Sequence, residues 1–161
     1  MNFWLIVEKY LWVFVVAMVP VLELRGAIPI GVGIGLPLIP TYIAAILGNI
    51  LPVPFLVLFS KKILTFLAKC KKIGPFFQKV IDRANSKAAK FGKYELLALF
   101  VFVAIPLPGT GAWTGSVIAA ILQLRVVPAV IAIAAGVCCA GIIMLLASAG
   151  VFGAISALCI L

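Results

Sequence analysis

Few residues in this chain are equipped for chemistry, and they gather at two places. Glu23 and Arg25 stand two apart in Val21-Leu22-Glu23-Leu24-Arg25-Gly26-Ala27-Ile28-Pro29. Thr110, Thr114 and Ser116 stand among glycines and Trp113 in Pro106-Leu-Pro-Gly-Thr-Gly-Ala-Trp-Thr-Gly-Ser116. Both stretches interrupt apolar sequence with glycine and proline. A helix broken in this way leaves backbone N–H groups at the start of its second arm, and these, with the positive end of the helix dipole, suit an anion. Gly26, Gly109 and Gly111 let a ligand approach the main chain closely. Arg25 adds a planar cation matched to carboxylate or phosphate, the hydroxyls add neutral donors, and Trp113 offers a ring to pack on a ligand or stack on a cation.

Glu23 admits two roles: counter-ion to Arg25, or proton carrier. On a continuous helix residues two apart point to different faces, so pairing the two requires the unwound backbone that Gly26 permits. Asn49, polar near the middle of an apolar span, is a helix–helix hydrogen-bonding residue or a ligand contact. Arg125 reads as an interfacial anchor with substrate contact as its second role.

Other chemistries are excluded. With no histidine in 161 residues, neither a histidine metal site nor a Ser–His or Cys–His dyad can form. Cys70, Cys138, Cys139 and Cys159 lack the C-x-x-C spacing of zinc or redox sites and read as small packing residues. No metal or cofactor is expected. No nucleophile–base pair is visible either, so catalysis is set aside.

The elements that must position these residues belong in a membrane. The chain is 66% hydrophobic and 11% charged, against about 25% charged in soluble domains. A span needs roughly 20 apolar residues, so the chain accommodates several membrane segments and no separate soluble domain. Lys9 follows the first apolar residues, so no cleaved signal peptide is expected. Asn2 to Tyr10 reads as an interfacial start, Leu11 to Val21 as a half-length arm, and Ile30 to Ile39 as its partner across the first break. Thr41 to Phe59 and Val126 to Ala149 are long enough to cross. Glu95 to Ile105 and Val117 to Leu124 flank the second break. The tail from Val151 has no assigned placement.

Between the halves lies a basic stretch, 61–94. Ten of the thirteen Lys and Arg residues fall in it: Lys61, Lys62, Lys69, Lys71, Lys72, Lys79, Arg83, Lys87, Lys90 and Lys93. The positive-inside rule makes it cytoplasmic. Phe77, Val80, Ile81, Ala84, Ala88 and Phe91 recur at helical spacing, which predicts an amphipathic helix whose basic face meets anionic headgroups. Beyond charge, nothing supports a nucleic-acid partner.

The single membrane domain thus divides into a first half, 1–60, the linker 61–94, and a second half, 95–161. Each half runs arm, Gly/Pro break, arm, proline, full span. Arg25-Gly26-Ala27 parallels Thr110-Gly111-Ala112, and Pro40 precedes Gly48 as Pro128 precedes Gly136. With the linker inside, the halves run in opposite directions. The fold class expected is therefore an all-α integral membrane protein. Two re-entrant helical hairpins, each followed by a transmembrane helix, form an inverted repeat whose breaks meet at a midplane site.

At Glu23-Leu-Arg-Gly-Ala-Ile-Pro29 and Pro106-Leu-Pro-Gly-Thr-Gly-Ala-Trp-Thr-Gly115 the chain resembles the small multi-drug export protein family, distantly related to the DedA/VTT membrane proteins. The resemblance implies opposed re-entrant hairpins and transport of lipids, including polyprenyl phosphates, or proton-dependent drug or cation tolerance. The DedA pattern pairs membrane-embedded acids with arginines. Only Glu23, Arg25 and Arg125 match it, and its second acid has no clear equivalent here. The expected function is a small transporter of the bacterial or archaeal cytoplasmic membrane. Its amphipathic substrate is an anionic lipid or lipid phosphate, bound by Arg25, Gly26, Gly109, Thr110, Gly111, Trp113, Thr114 and Ser116. The alternatives are a proton-coupled multidrug exporter, which would rest on Glu23, and a non-transporting scaffold or assembly factor. The small size of the chain makes a homo-oligomer plausible.

Overall fold

A computed structural model describes residues 3–68, 78–79, 94–107 and 109–158, and contains no strand among them. The helices are α1 (Phe3–Met18), α2 (Glu23–Gly33), α3 (Leu38–Ile50), α4 (Val53–Ala68), α5 (Tyr94–Ala104), α6 (Ala112–Ile121) and α7 (Val126–Leu158). Two stretches are long and apolar enough to cross a membrane: Leu38–Phe66, formed by α3 and α4, and Val126–Val151 within α7.

Several boundaries differ from those the sequence suggests, for identifiable reasons. The interfacial start and the first half-length arm are one helix, α1, because nothing between Phe3 and Met18 interrupts the i→i−4 ladder. The first span runs past Phe59 through Lys61 and Lys62 to Phe66 within α4, since long cationic side chains can lie along a helix end without breaking it. The tail continues α7 to Leu158. Apart from helical Gln78 and Lys79, the expected amphipathic helix lies outside the described residues. Pro40 and Pro128 each occupy the third position of a helix, within the first turn, where a missing N–H removes no intrahelical bond.

The contacts divide the chain into two compact units. One comprises Met1–Leu51 with Val137–Leu161, and the other Pro52–Gly136. In the first, α1, α2 and α3 pack on one another. In the second, α4 packs on α6, and Gly115 of α6 lies against Leu99 and Val103 of α5 and Ile133 of α7.

The two units use the same internal geometry at matched positions. Helix α2 ends in a Schellman motif, with Gly35 (φ +79°) donating to Val32 O and Leu36 to Gly31 O. Helix α6 ends in the same motif, with Gln123 (φ +53°) donating to Ala120 O and Leu124 to Ala119 O. Leu24, Ala27, Ile28 and Gly31 are buried on α2, and the residues 88 positions on, Ala112, Gly115, Ser116 and Ala119, are buried on α6. The first arms match with an offset of 86, Val13 and Ala17 against Leu99 and Val103. Gly48 lies against the Phe14 carbonyl of α1, and Gly136 lies against the Phe100 carbonyl of α5.

Candidate functional site

The first break is a tight turn, not an open gap. The chain leaves α1 through residues 19–22, and Glu23 N still donates to Val19 O at 2.9 Å while Gly26 N donates to Leu22 O at 2.8 Å. The unwinding falls on Glu23, whose φ is +48°; Gly26 is an ordinary helical residue. This corrects the expectation that Gly26 supplies the bend. Its glycine has another cause: a Cβ there would press on the Leu22 side chain at 3.1 Å. The chemical motif is therefore the first turn of α2, not the gap preceding it.

The left-handed turn at Glu23 brings its carboxylate back over Arg25. Arg25 Nη1 donates to Glu23 Oε2 at 2.7 Å. Glu23 is 4% exposed and Arg25 half-buried. A left-handed conformation costs a non-glycine residue about 1–3 kcal/mol, so the backbone is held against its preference at the residue carrying the carboxylate. The positive φ was not legible in sequence, because the signal for it is glycine, and glycine lies three residues later.

Helix α3 of the same unit carries Asn49, which is fully buried, with neither Oδ1 nor Nδ2 hydrogen-bonded among the described residues. Leaving such a group unsatisfied costs about 1–3 kcal/mol. The residue 88 positions on is a buried valine, Val137. Asn49→Val is accordingly expected to raise the thermal unfolding midpoint in detergent, by an amount corresponding to about 1–2 kcal/mol. If stability falls instead, Asn49 is satisfied in the membrane by a partner the valine cannot replace.

The second break, Ile105 to Gly111, belongs to the other unit. Gly109 takes the left-handed conformation, φ +82°. The Thr110 hydroxyl is directed at two carbonyls of its own loop, Ile105 O at 2.7 Å and Leu107 O at 2.9 Å. Gly111, extended and buried, precedes α6 as its N-cap, and no side chain caps the helix. Trp113 and Thr114 lie half-buried on the first turn. Ser116 is fully buried and donates to Ala112 O at 2.7 Å, which commits it to α6 itself. Arg125 is exposed at the start of α7.

The structure thus places Glu23, Arg25, Gly26 and Asn49 in one unit, and Gly109, Thr110, Gly111, Trp113, Thr114, Ser116 and Arg125 in the other. Among the described residues no cluster of His, Cys, Asp and Glu could hold a metal. One interaction escaped sequence reasoning: Lys61 Nζ donates to Leu124 O, tying α4 to the turn after α6. The adjacent Lys61-Lys62 pair at the end of an apolar run was its only trace.

Residues 23–143 match the family model described as "Putative small multi-drug export protein". The match begins on Glu23 and runs from α2 into α7. No curated protein and no solved structure matches the chain.

Proposed function

The chain belongs to the small multi-drug export protein family, and on that premise we propose that it moves an amphipathic substrate across the membrane, with the Glu23–Arg25 pair as its binding group. The observation that carries this reading is the buried Glu23–Arg25 pair on a helix too short to span. Helix α2 has 11 residues and α6 has 10, about 15–17 Å each at 1.5 Å per residue. The hydrocarbon core is about 30 Å thick. Helices of this length fit re-entrant arms. The matched caps, buried positions and glycine–carbonyl contacts support an inverted repeat of two hairpins, α1–α2 and α5–α6.

The preferred substrate is an anionic lipid or lipid phosphate. A guanidinium presents its N–H donors in a planar fork that matches the oxygens of a phosphate. An approaching phosphate competes with Glu23 for that fork, while its acyl chains stay in lipid. In the other unit, Gly109, Gly111 and the first turn of α6 offer a polar surface of the same chemistry, and Thr110 shapes that loop. The lysines and arginines of 61–94 would meet anionic headgroups on the cytoplasmic side.

A second reading, proton-coupled drug export, draws support from the family's description and from Glu23, the acid that a proton or a cationic drug would take from Arg25. Proteoliposomes separate the two. With fluorescent phosphatidylglycerol in one leaflet, the protein is expected to accelerate translocation without needing a pH gradient. Efflux of a cationic dye only when a pH gradient is imposed, with the lipid unmoved, would replace the lipid reading by the drug reading. If neither moves, the scaffold reading stands.

A further inference from the structure

One face of α4 combines charge and apolar surface at the end of the first span. Leu58, Lys61, Lys62, Thr65 and Phe66 recur at i, i+3, i+4, i+7 and i+8, so they share a single stripe of the helix. Together with Gln123 they line a groove of about 430 Å³. Lys61 closes its floor by donating to Leu124 O, as a cation does at the carbonyl-rich end of a helix. Lys62, on the same stripe, is exposed. Leu58, one turn nearer the span's middle, and Phe66, one turn beyond, are also exposed.

Gln123 is a second, independent sign. It occupies the left-handed position of its Schellman motif, where the first unit has Gly35. Glycine takes that conformation without a steric penalty, and a residue with a side chain does not. The Gln123 amide is pinned over the groove by donating from Nε2 to Ala120 O at 3.0 Å. The second amide hydrogen and the amide oxygen remain for a ligand. The Thr65 hydroxyl donates to Lys61 O at 2.9 Å, which leaves its oxygen as an acceptor.

We propose that this groove binds the headgroup of an anionic glycerophospholipid. Lys62 pairs with the phosphate, the Gln123 amide donates to it, Thr65 accepts from a headgroup hydroxyl, and an acyl chain runs along Leu58. The shared chemistry is a phosphate anion, which a free ion also offers. The apolar residues on both sides of the lysines favour the lipid, because a free ion gains nothing from them. This site is separate from the Glu23–Arg25 pair and does not depend on what the protein transports.

The test is native mass spectrometry of the full chain in detergent with equal amounts of dioleoyl phosphatidylglycerol and dioleoyl phosphatidylcholine. Phosphatidylglycerol is expected to be retained in preference. Lys62→Gln and Gln123→Gly should each weaken its retention about fivefold, the equivalent of about 1 kcal/mol for one basic contact. Gln123→Gly should leave the unfolding midpoint unchanged or higher, which separates loss of a ligand contact from loss of fold. Lys79→Gln, at an exposed lysine of the basic stretch, should change retention less than twofold. Equal retention of the two lipids, normal retention by Gln123→Gly, or equal losses for Lys79→Gln and Lys62→Gln would overturn the proposal. So would full displacement of phosphatidylglycerol by inorganic phosphate, which would make the groove an anion site without lipid preference.

Discussion

An Arg25→Gln variant is expected to lose lipid translocation and much of its stability together. Glu23 is 4% exposed, and Arg25 Nη1 lies 2.7 Å from its carboxylate. Removing one member of a buried pair leaves an uncompensated charge, at a cost of about 3–5 kcal/mol. Typical native stabilities are about 5–15 kcal/mol, so a large fraction is at stake. The Glu23 carboxylate can take up a proton and so limit the loss. A guanidinium has no such escape, and Glu23→Gln is therefore expected to be at least as damaging to the fold. The double variant Glu23→Gln/Arg25→Gln puts two neutral amides in reach of each other and should recover most of the unfolding midpoint. It should not recover translocation in proteoliposomes, because the cation proposed to meet the phosphate is gone. If the double variant transports at the wild-type rate, the pair is a fold element only, and the lipid reading loses its main support.

Gly48→Val is expected to be the most damaging single change in the packing. The atom a new Cβ would strike is the Phe14 carbonyl oxygen, with the Phe14 carbonyl carbon and Cα close behind. These are main-chain atoms, and no rotamer change moves them. The helices must separate, which opens the contacts around Val13, now 1% exposed. Overpacking of this kind typically costs about 1–3 kcal/mol, and a β-branched residue against backbone belongs at the upper end. Gly136→Ala meets the Phe100 carbonyl oxygen at 2.9 Å and Val103 Cβ at 2.8 Å, so it should cost less. Gly26→Ala meets Leu22 Cβ and Cδ2 at 3.1 Å, a looser approach than at either of the other two, which a shift of a few tenths of an ångström relieves. Unfolding midpoints in detergent should fall in that order, Gly48→Val lowest and Gly26→Ala nearest wild type. A Gly26 variant as unstable as the Gly48 variant would mean that Leu22 is as immobile as backbone.

Much of this architecture was legible in the residues. Glycine, proline and isolated charge marked both breaks, because each is costly inside a lipid-facing helix and so stands out against apolar sequence. The interval from Pro40 to Gly48, repeated from Pro128 to Gly136, carries an offset of 88. The parallel of Arg25-Gly26-Ala27 with Thr110-Gly111-Ala112 does not. It implies an offset of 85, whereas the helix ends and buried faces agree at 88, which makes Trp113 the sequence counterpart of Arg25. Small residues are common in both motifs, so local identity misled where packing did not. The helix starts were misplaced for a related reason. Glu23 N reaches Val19 O across the turn, a bond set by backbone closure that no residue type announces. Gly26 advertised a flexibility it does not use. The Lys61 contact was hidden because Leu124 contributes only its carbonyl, and every residue has one.

The close approach of Gly48 to Phe14 leaves an uneven imprint on inheritance. The contact on the α1 side is a carbonyl, which any amino acid supplies, so substitutions at position 14 pass unnoticed by it. On the α3 side it is the lack of a side chain, which glycine alone supplies. Position 48 should therefore stay fixed through long divergence while position 14 drifts, and the same asymmetry should join position 136 to position 100. Two positions in intimate contact would then show no covariation, so a search for paired changes would miss this seam.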